Sequence, residues 1–250
     1  MECVVVVVVP LPMAALLMIS RLPRSAQLSS SEGDTTLEAI TNLVIANDRV
    51  AGVDEVGRGA LFGPVVAAAV LISEPAALRL RQMGVTDSKR LSQRQRLLLV
   101  EPIQTMATTY AIGYASVQEI DRLNILQATL LAMGRAIHRL SPVPTLCLVD
   151  GNQPIPDLAI PQQTVIKGDQ HHTVIAAASI LAKVWRDQLM VRLDRRYPGY
   201  GLAKHKGYGS AEHRQALQRL GPTRQHRLSF KGCRHSALPF TETVGYLGID

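Results

Sequence analysis

Arg49-Val50-Ala51-Gly52-Val53-Asp54-Glu55-Val56-Gly57-Arg58-Gly59-Ala60-Leu61-Phe62-Gly63-Pro64-Val65-Val66 is the stretch from which the rest of the chain can be read. Residues 49–56 are a short apolar run ending in charges and a glycine, which predicts a strand. Residues 64–72, rich in Val and Ala, predict a second strand that is buried on both faces. Between them the glycines follow a G-x-G-x-x-x-G spacing that resembles a dinucleotide fingerprint. Two features exclude that reading: Pro64-Val65-Val66 stands where a helix should propagate, and two carboxylates directly precede the supposed pyrophosphate site. The glycines better suit a backbone that must come close to a sugar or phosphate.

Outward from this stretch, strand and helix signals alternate. Ser92 to Met106 reads as a helix capped by Ser92, with Pro102 inside it. Thr108 to Ala115 predicts a strand, and Ser116 with Glu119 forms a capping box that starts a helix running to about Leu140. Short strands come next at 145–149 and 164–166. Thr173 to Arg196 is the longest helix signal, stopped by Pro198-Gly199, and a last helix at 210–220 stops at Gly221-Pro222. Asp121 and Asp157 read as turn residues, and Trp185 as core. Alternation of this kind argues for one α/β domain with helices covering a sheet, in which ligands sit beyond the carboxyl ends of strands.

Three of the predicted strands run into acids: Asp54-Glu55, Asp150 and Asp169. Neighbouring residues on a strand face opposite ways, so Asp54 and Glu55 can serve one site only at a strand end or a bulge. Either each acid caps the turn after it, or the acids cluster. A cluster would be strongly self-repelling unless a divalent cation joined it. Oxygen ligands without thiolate or paired imidazole favour Mg²⁺ or Mn²⁺ over Zn²⁺.

The 250-residue chain carries 27 Lys and Arg against 20 Asp and Glu, a net charge of +7. From Lys183 to His235 there are 13 Lys/Arg and 3 Asp/Glu, a local excess of +10, so the remainder sums to −3. Such a block is either a solvated basic surface or a phosphate-binding face. In it, Lys183 and Arg186 share a helix face turned to phosphate or to solvent, and Asp187 has basic neighbours at ion-pairing distance along the helix. Cys3, Cys147 and Cys233 have no paired spacing, which excludes a disulfide framework and fits the reducing cytoplasm.

Residues 1–35 read differently. The valine run at 4–9, Pro10 and Pro12 lead into an apolar stretch that is short and broken for a membrane helix and lacks the leading charge of a secretory signal. A Ser-rich linker comes after it. The reading favoured is a dispensable, disordered extension, with a membrane anchor as the alternative.

Taken together, Asp54-Glu55-Val56-Gly57-Arg58-Gly59, Gly63-Pro64-Val65-Val66, Asp87-Ser88-Lys89, Val149-Asp150-Gly151, Lys167-Gly168-Asp169, Ala177-Ala178-Ser179-Ile180-Leu181-Ala182-Lys183-Val184, Arg186-Asp187, His205-Lys206-Gly207-Tyr208-Gly209 and His226-Arg227-Leu228-Ser229-Phe230 resemble, in order, the motifs of the type 2 ribonuclease H (ribonuclease HII) family. The resemblance covers about residues 50–235. It implies an α/β fold with an RNase H-like mixed five-stranded sheet flanked by helices and a helical C-terminal part, in a single catalytic domain over residues 36–250. It also implies endonucleolytic cleavage of the RNA strand of RNA–DNA hybrids and incision at single ribonucleotides embedded in duplex DNA.

By motif, Asp54, Glu55, Asp150 and Asp169 would be the metal-binding catalytic acids. Gly57, Arg58 and Gly59 would contact the ribose 2′-hydroxyl, and Tyr208 would pack on the neighbouring deoxyribose. Lys89, in the Asp-Ser-Lys turn, is a candidate to neutralise a phosphate. A monomer with no membrane partner is expected. The competing readings are a non-catalytic nucleic-acid-binding module, which needs the basic block but not the acids, and another metal-dependent nuclease or phosphotransferase.

Overall fold

The computed structural model describes residues 49–233, and the expectations for residues 1–35 lie outside that range. Its centre is a five-stranded sheet built from β1 (Val50–Val56), β2 (Val65–Leu71), β3 (Thr109–Ala115), β4 (Leu146–Asp150) and β5 (Gln162–Val165). The spatial order is β3-β2-β1-β4-β5. Strands β1 to β3 pair antiparallel, whereas β1–β4 and β4–β5 are parallel, so the sheet is mixed as expected.

The helices are α1 (Glu74–Gln82), α2 (Gln93–Met106), α3 (Val117–Leu123), α4 (Ile125–Ile137), α5 (Gly168–His171), α6 (Thr173–Arg196), α7 (Leu202–His205) and α8 (Ala211–Leu220). Every residue of β2 is buried because both faces of the sheet are covered. Val65, Ala67, Ala69 and Leu71 face α4, while Ala68 and Val70 join Leu148, Ile175 and Ala178 on the α6 side. The covering helix α6 lies directly on β1: a Cβ at Gly52 would sit 2.5 Å from the backbone of Val174, so only glycine permits this approach. That contact sets the start of α6 against the strand that carries Asp54.

Two expectations needed correction. The helix predicted to run from Ser116 to about Leu140 is two helices, broken at Asn124, whose φ of 74° lies in the left-handed region. The Asn124 side chain accepts from Leu126 N–H and Gln127 N–H and so restarts the helix. Asp121 is not a turn residue. It lies within α3, where its carboxylate accepts from the backbone N–H groups of Leu228 and Ser229 and pins the C-terminal loop to the helical layer. Asp157, by contrast, does occupy a turn with φ of 55°.

Candidate active site

Pairing between β1 and β4 stops at Val53–Val149, so Asp54, Glu55 and Asp150 emerge together where β4 ends and β1 runs on paired with β2 alone as far as Val56. Alternation turns Asp54 to the α6 face and Glu55 to the other. With the β4 side of β1 free beyond Val53 this does not separate them, though neither is at the end of β1, and single oxygens of Asp54, Glu55 and Asp150 all lie within 4.8 Å of one another. Asp54 is 4% exposed, its backbone neighbour Glu55 N–H donates to Asp54 Oδ1 at 2.7 Å, and Ser179 of α6 also hydrogen-bonds it. Ser179 Oγ is in turn 2.8 Å from Ser88 Oγ, which ties the Asp-Ser-Lys turn to the same helix.

Burial, reinforced by the charges of Glu55 and Asp150, holds the Asp54 carboxyl well above the usual range. Burial also raises Glu55, against the opposing pull of Arg58, and raises Asp150 despite the hydrogen bond from Gly168 N–H. One buried and two half-buried acids that resist losing their protons form a site that a dication would relieve. Their all-oxygen donor set suits a hard ion, and no described thiolate or imidazole joins them.

Asp169 stands beside this group and not within it. It is 3% exposed at the start of α5, and Lys89 Nζ lies 3.2 Å from its Oδ2. Asp150 Oδ1 accepts from Gly168 N–H at 2.7 Å, so the Asp150 and Asp169 segments are joined. Lys89 is otherwise exposed, and the Asp87 carboxylate, accepting from Lys89 N–H, fixes the turn that presents it.

The Gly57-Arg58-Gly59 segment turns directly above the acids. Gly57 has φ of 92°, and a Cβ there would meet Arg186 Nε at 2.2 Å, so both conformation and space demand glycine. Arg58 and Gly59 are exposed, and Arg58 Nη1 reaches Glu55 Oε1 at 3.4 Å. The loop is joined to Tyr208 by the Ala60–Tyr208 bridge and by Leu61 N–H donating to Gly207 O. Every residue expected at the site therefore lies in one neighbourhood.

Sequence reading missed the residues that hold this neighbourhood together. Arg186 is fully buried, facing neither phosphate nor solvent. Its guanidinium donates to Pro64 O, Phe62 O and Lys206 O. Arg227 is equally buried and donates to Gly63 O and Arg58 O. The ion pair expected for Asp187 is present, with Lys183 at 2.8 Å, and Lys204 pairs with Glu212. At least four cations of the basic block are thus internal or paired, which leaves Arg192, Arg195, Arg214, Arg219 and Lys231 among its exposed ones.

Behind Tyr208 lies a chain of neutral histidines. Thr223 N–H donates to His226 Nδ1, which places the His226 proton on Nε2, 3.2 Å from His213 Nε2. His213 then donates from Nδ1 to Tyr208 O at 3.0 Å. Burial pushes His213 down to about 4 and His226 down to about 3. Unfolded histidines bind protons near pH 6.5, so acid favours the unfolded chain and stability is lost as pH falls from 6.5 towards those values. At pH 5 the loss is roughly 2 kcal/mol per histidine. The buried acids, with raised values, shift stability the opposite way. The measurement is therefore the difference in urea-unfolding stability between the unaltered chain and His226→Asn. That gap should narrow by about 2 kcal/mol between pH 7 and pH 5; a constant gap contradicts the assignment of a neutral His226.

The family described as Ribonuclease HII matches residues 51–233. The chain belongs to the ribonuclease HII family. The ribonuclease HII of Acaryochloris marina is 66% identical over 194 residues, which is 78% of this chain and 98% of that one. The ribonuclease HII of Synechococcus elongatus is 64% identical over 181 residues, covering 72% of this chain and 84% of that one. Among solved structures, ribonuclease H2 of Pyrococcus horikoshii superposes with a TM-score of 0.63 at 28% identity, over 74% of this chain and 95% of the other. The ribonuclease HII of Archaeoglobus fulgidus, solved in complex with PCNA, gives 0.63 at 29% identity, over 73% and 95%. As a ribonuclease HII family member the chain is a nuclease, and its fold is RNase H-like.

Proposed function

We propose that the protein is a divalent-metal-dependent endoribonuclease that cleaves the RNA strand of RNA–DNA hybrids and incises 5′ of single ribonucleotides in duplex DNA, leaving 5′-phosphate and 3′-hydroxyl ends. The observation that carries this reading is the juxtaposition of the Asp54, Glu55 and Asp150 oxygens with the Gly57–Gly59 turn and Tyr208. Acids alone would suit many phosphodiester hydrolases. An open, glycine-built backbone beside them suits an enzyme that must sense the 2′-hydroxyl, the group that separates RNA from DNA at each sugar.

Asp54, Glu55 and Asp150, with Asp169 adjoining, are the residues that would hold Mg²⁺ or Mn²⁺. When bound, the ion supplies charge neutralisation and polarisation at the scissile phosphate. The chain does the rest. Gly57, Arg58 and Gly59 meet the ribose, Tyr208 packs on the following deoxyribose, and Lys89 stands ready to leave Asp169 for a substrate phosphate. Exposed cations of the C-terminal helices hold the duplex by its backbone without reading sequence.

All these residues come from one chain, which suits a monomer. Two free, buried cysteines, Cys147 and Cys233, suit the cytoplasm. No described helix is long and apolar enough to cross a membrane. We assign residues 36–250 to one catalytic domain and residues 1–35 to an accessory extension.

The test is incubation with Mg²⁺ or Mn²⁺ and two end-labelled duplexes, an RNA–DNA hybrid and its all-DNA counterpart. Cleavage of the RNA strand alone supports the proposal. Equal cleavage of both duplexes would assign the site to a general nuclease, and binding without cleavage under either metal would overturn it.

A further inference from the structure

Arg227 directs a buried guanidinium at two backbone carbonyls of the sugar-facing loop. Its side chain is fully buried, Nε donates to Gly63 O at 2.9 Å and Nη1 donates to Arg58 O at 2.8 Å. The second of these bonds fixes the orientation of a peptide plane. In a planar trans peptide the C=O and the following N–H point in opposite directions. Holding the Arg58 carbonyl inward towards Arg227 therefore turns the Gly59 N–H outward. Gly59 is exposed, and apart from its chain neighbours no described residue comes within 4 Å of the place its Cβ would occupy, so that side of the turn is open to a ligand.

We infer that Arg227 is a positioning residue for specificity: it aims the Gly59 amide at the ribose 2′-hydroxyl without touching substrate. This rests on the proposed reading of the Gly57–Gly59 turn as the ribose sensor. Stability alone does not account for such a residue. Arg186, a second buried cation, supports the same loop through Phe62 O and Pro64 O. Burial, with Arg186 nearby, pulls the Arg227 guanidinium down to about 9. Its Nη2 is buried with no hydrogen-bond partner among the described residues. An apolar side chain of similar volume would avoid both penalties. It would not supply a donor to Arg58 O.

The experiment measures equilibrium binding of the full chain and Arg227→Met, in chelator to prevent cleavage, to two DNA duplexes that differ by one 2′-hydroxyl. The unaltered chain should prefer the ribonucleotide duplex by on the order of tenfold, the contribution of one hydrogen bond. Arg227→Met should bring that ratio close to one while leaving affinity for the all-DNA duplex as it was. A retained preference, or an equal weakening on both duplexes, overturns the inference, the latter because it marks a merely structural role. Absence of preference in the unaltered chain overturns the ribose-sensor reading itself, and this inference with it. Should Arg227→Met fail to fold, Arg227→Lys decides: it keeps the cation but cannot fork to both carbonyls, so the preference should again be lost, and its retention would overturn the inference.

Discussion

On the proposed function, Asp54→Asn should lower cleavage of a ribonucleotide-containing duplex by about 10²–10³-fold or more, since it removes one of the carboxylates that would hold the metal ion and so weakens the ion's stabilisation of transition-state charge. The same substitution should make the metal-free protein more stable. Asp54 is buried against Glu55 and Asp150, and all three carboxyls are raised by burial. An amide of the same shape removes one charge from that cluster, and its oxygen can still accept from Glu55 N–H. A gain of about 1 kcal/mol, a few degrees in melting temperature, is expected in chelator. This opposition of signs separates a functional acid from a structural one. An acid kept for folding would lose stability and activity together when replaced. Melting curves in chelator and initial cleavage rates in Mg²⁺ or Mn²⁺ check both halves, and undiminished cleavage would remove Asp54 from the site.

Arg186→Ala should be the most destabilising single change near the site. The guanidinium is fully buried in the middle of α6 and satisfies three carbonyls that belong to two separate loops. Truncation strands Pro64 O, Phe62 O and Lys206 O away from water and opens a cavity beneath Gly57. Orphaned buried carbonyls cost about 1–3 kcal/mol each, and removal of the costly buried charge offsets part of that sum, so a total loss of about 3–5 kcal/mol is expected. For a chain of this size that corresponds to roughly 10 °C in melting temperature. Arg186→Lys should recover only part of it, because an ammonium cannot match the fork that reaches both loops. A melting temperature unchanged by Arg186→Ala would show that the loops hold themselves in place.

The acids were legible because hydrophobic strands announce their own ends. Val53-Asp54 and Val149-Asp150 each place a carboxylate where an apolar run stops, and the parallel pairing of β1 with β4 brings those ends together. The Gly57–Gly59 turn was legible for a similar reason, since β-rich sequence on both sides left no room for a helix. The interior of the basic block was not. Arg186 and Arg227 look no different in sequence from the exposed Arg192 or Arg195, and only the fold reveals carbonyls needing donors behind the loop. Asp121 was misread because a helical residue and a turn residue can have the same neighbours, and its partners at Leu228 and Ser229 are distant in sequence. The helix break at Asn124 had a local signal, an asparagine able to adopt positive φ and cap the next helix, but apolar periodicity on either side concealed it.

On the proposed function, one site both cuts and recognises a ribose. This is tested most directly by a DNA duplex carrying a single ribonucleotide, incubated with the protein and Mg²⁺ or Mn²⁺ beside the identical duplex lacking that one 2′-hydroxyl. A nick 5′ of the ribonucleotide, with 3′-hydroxyl and 5′-phosphate ends, is expected, and no nick in the second duplex. Cleavage of both duplexes at the same rate, or of neither while the fold is intact, would contradict that function.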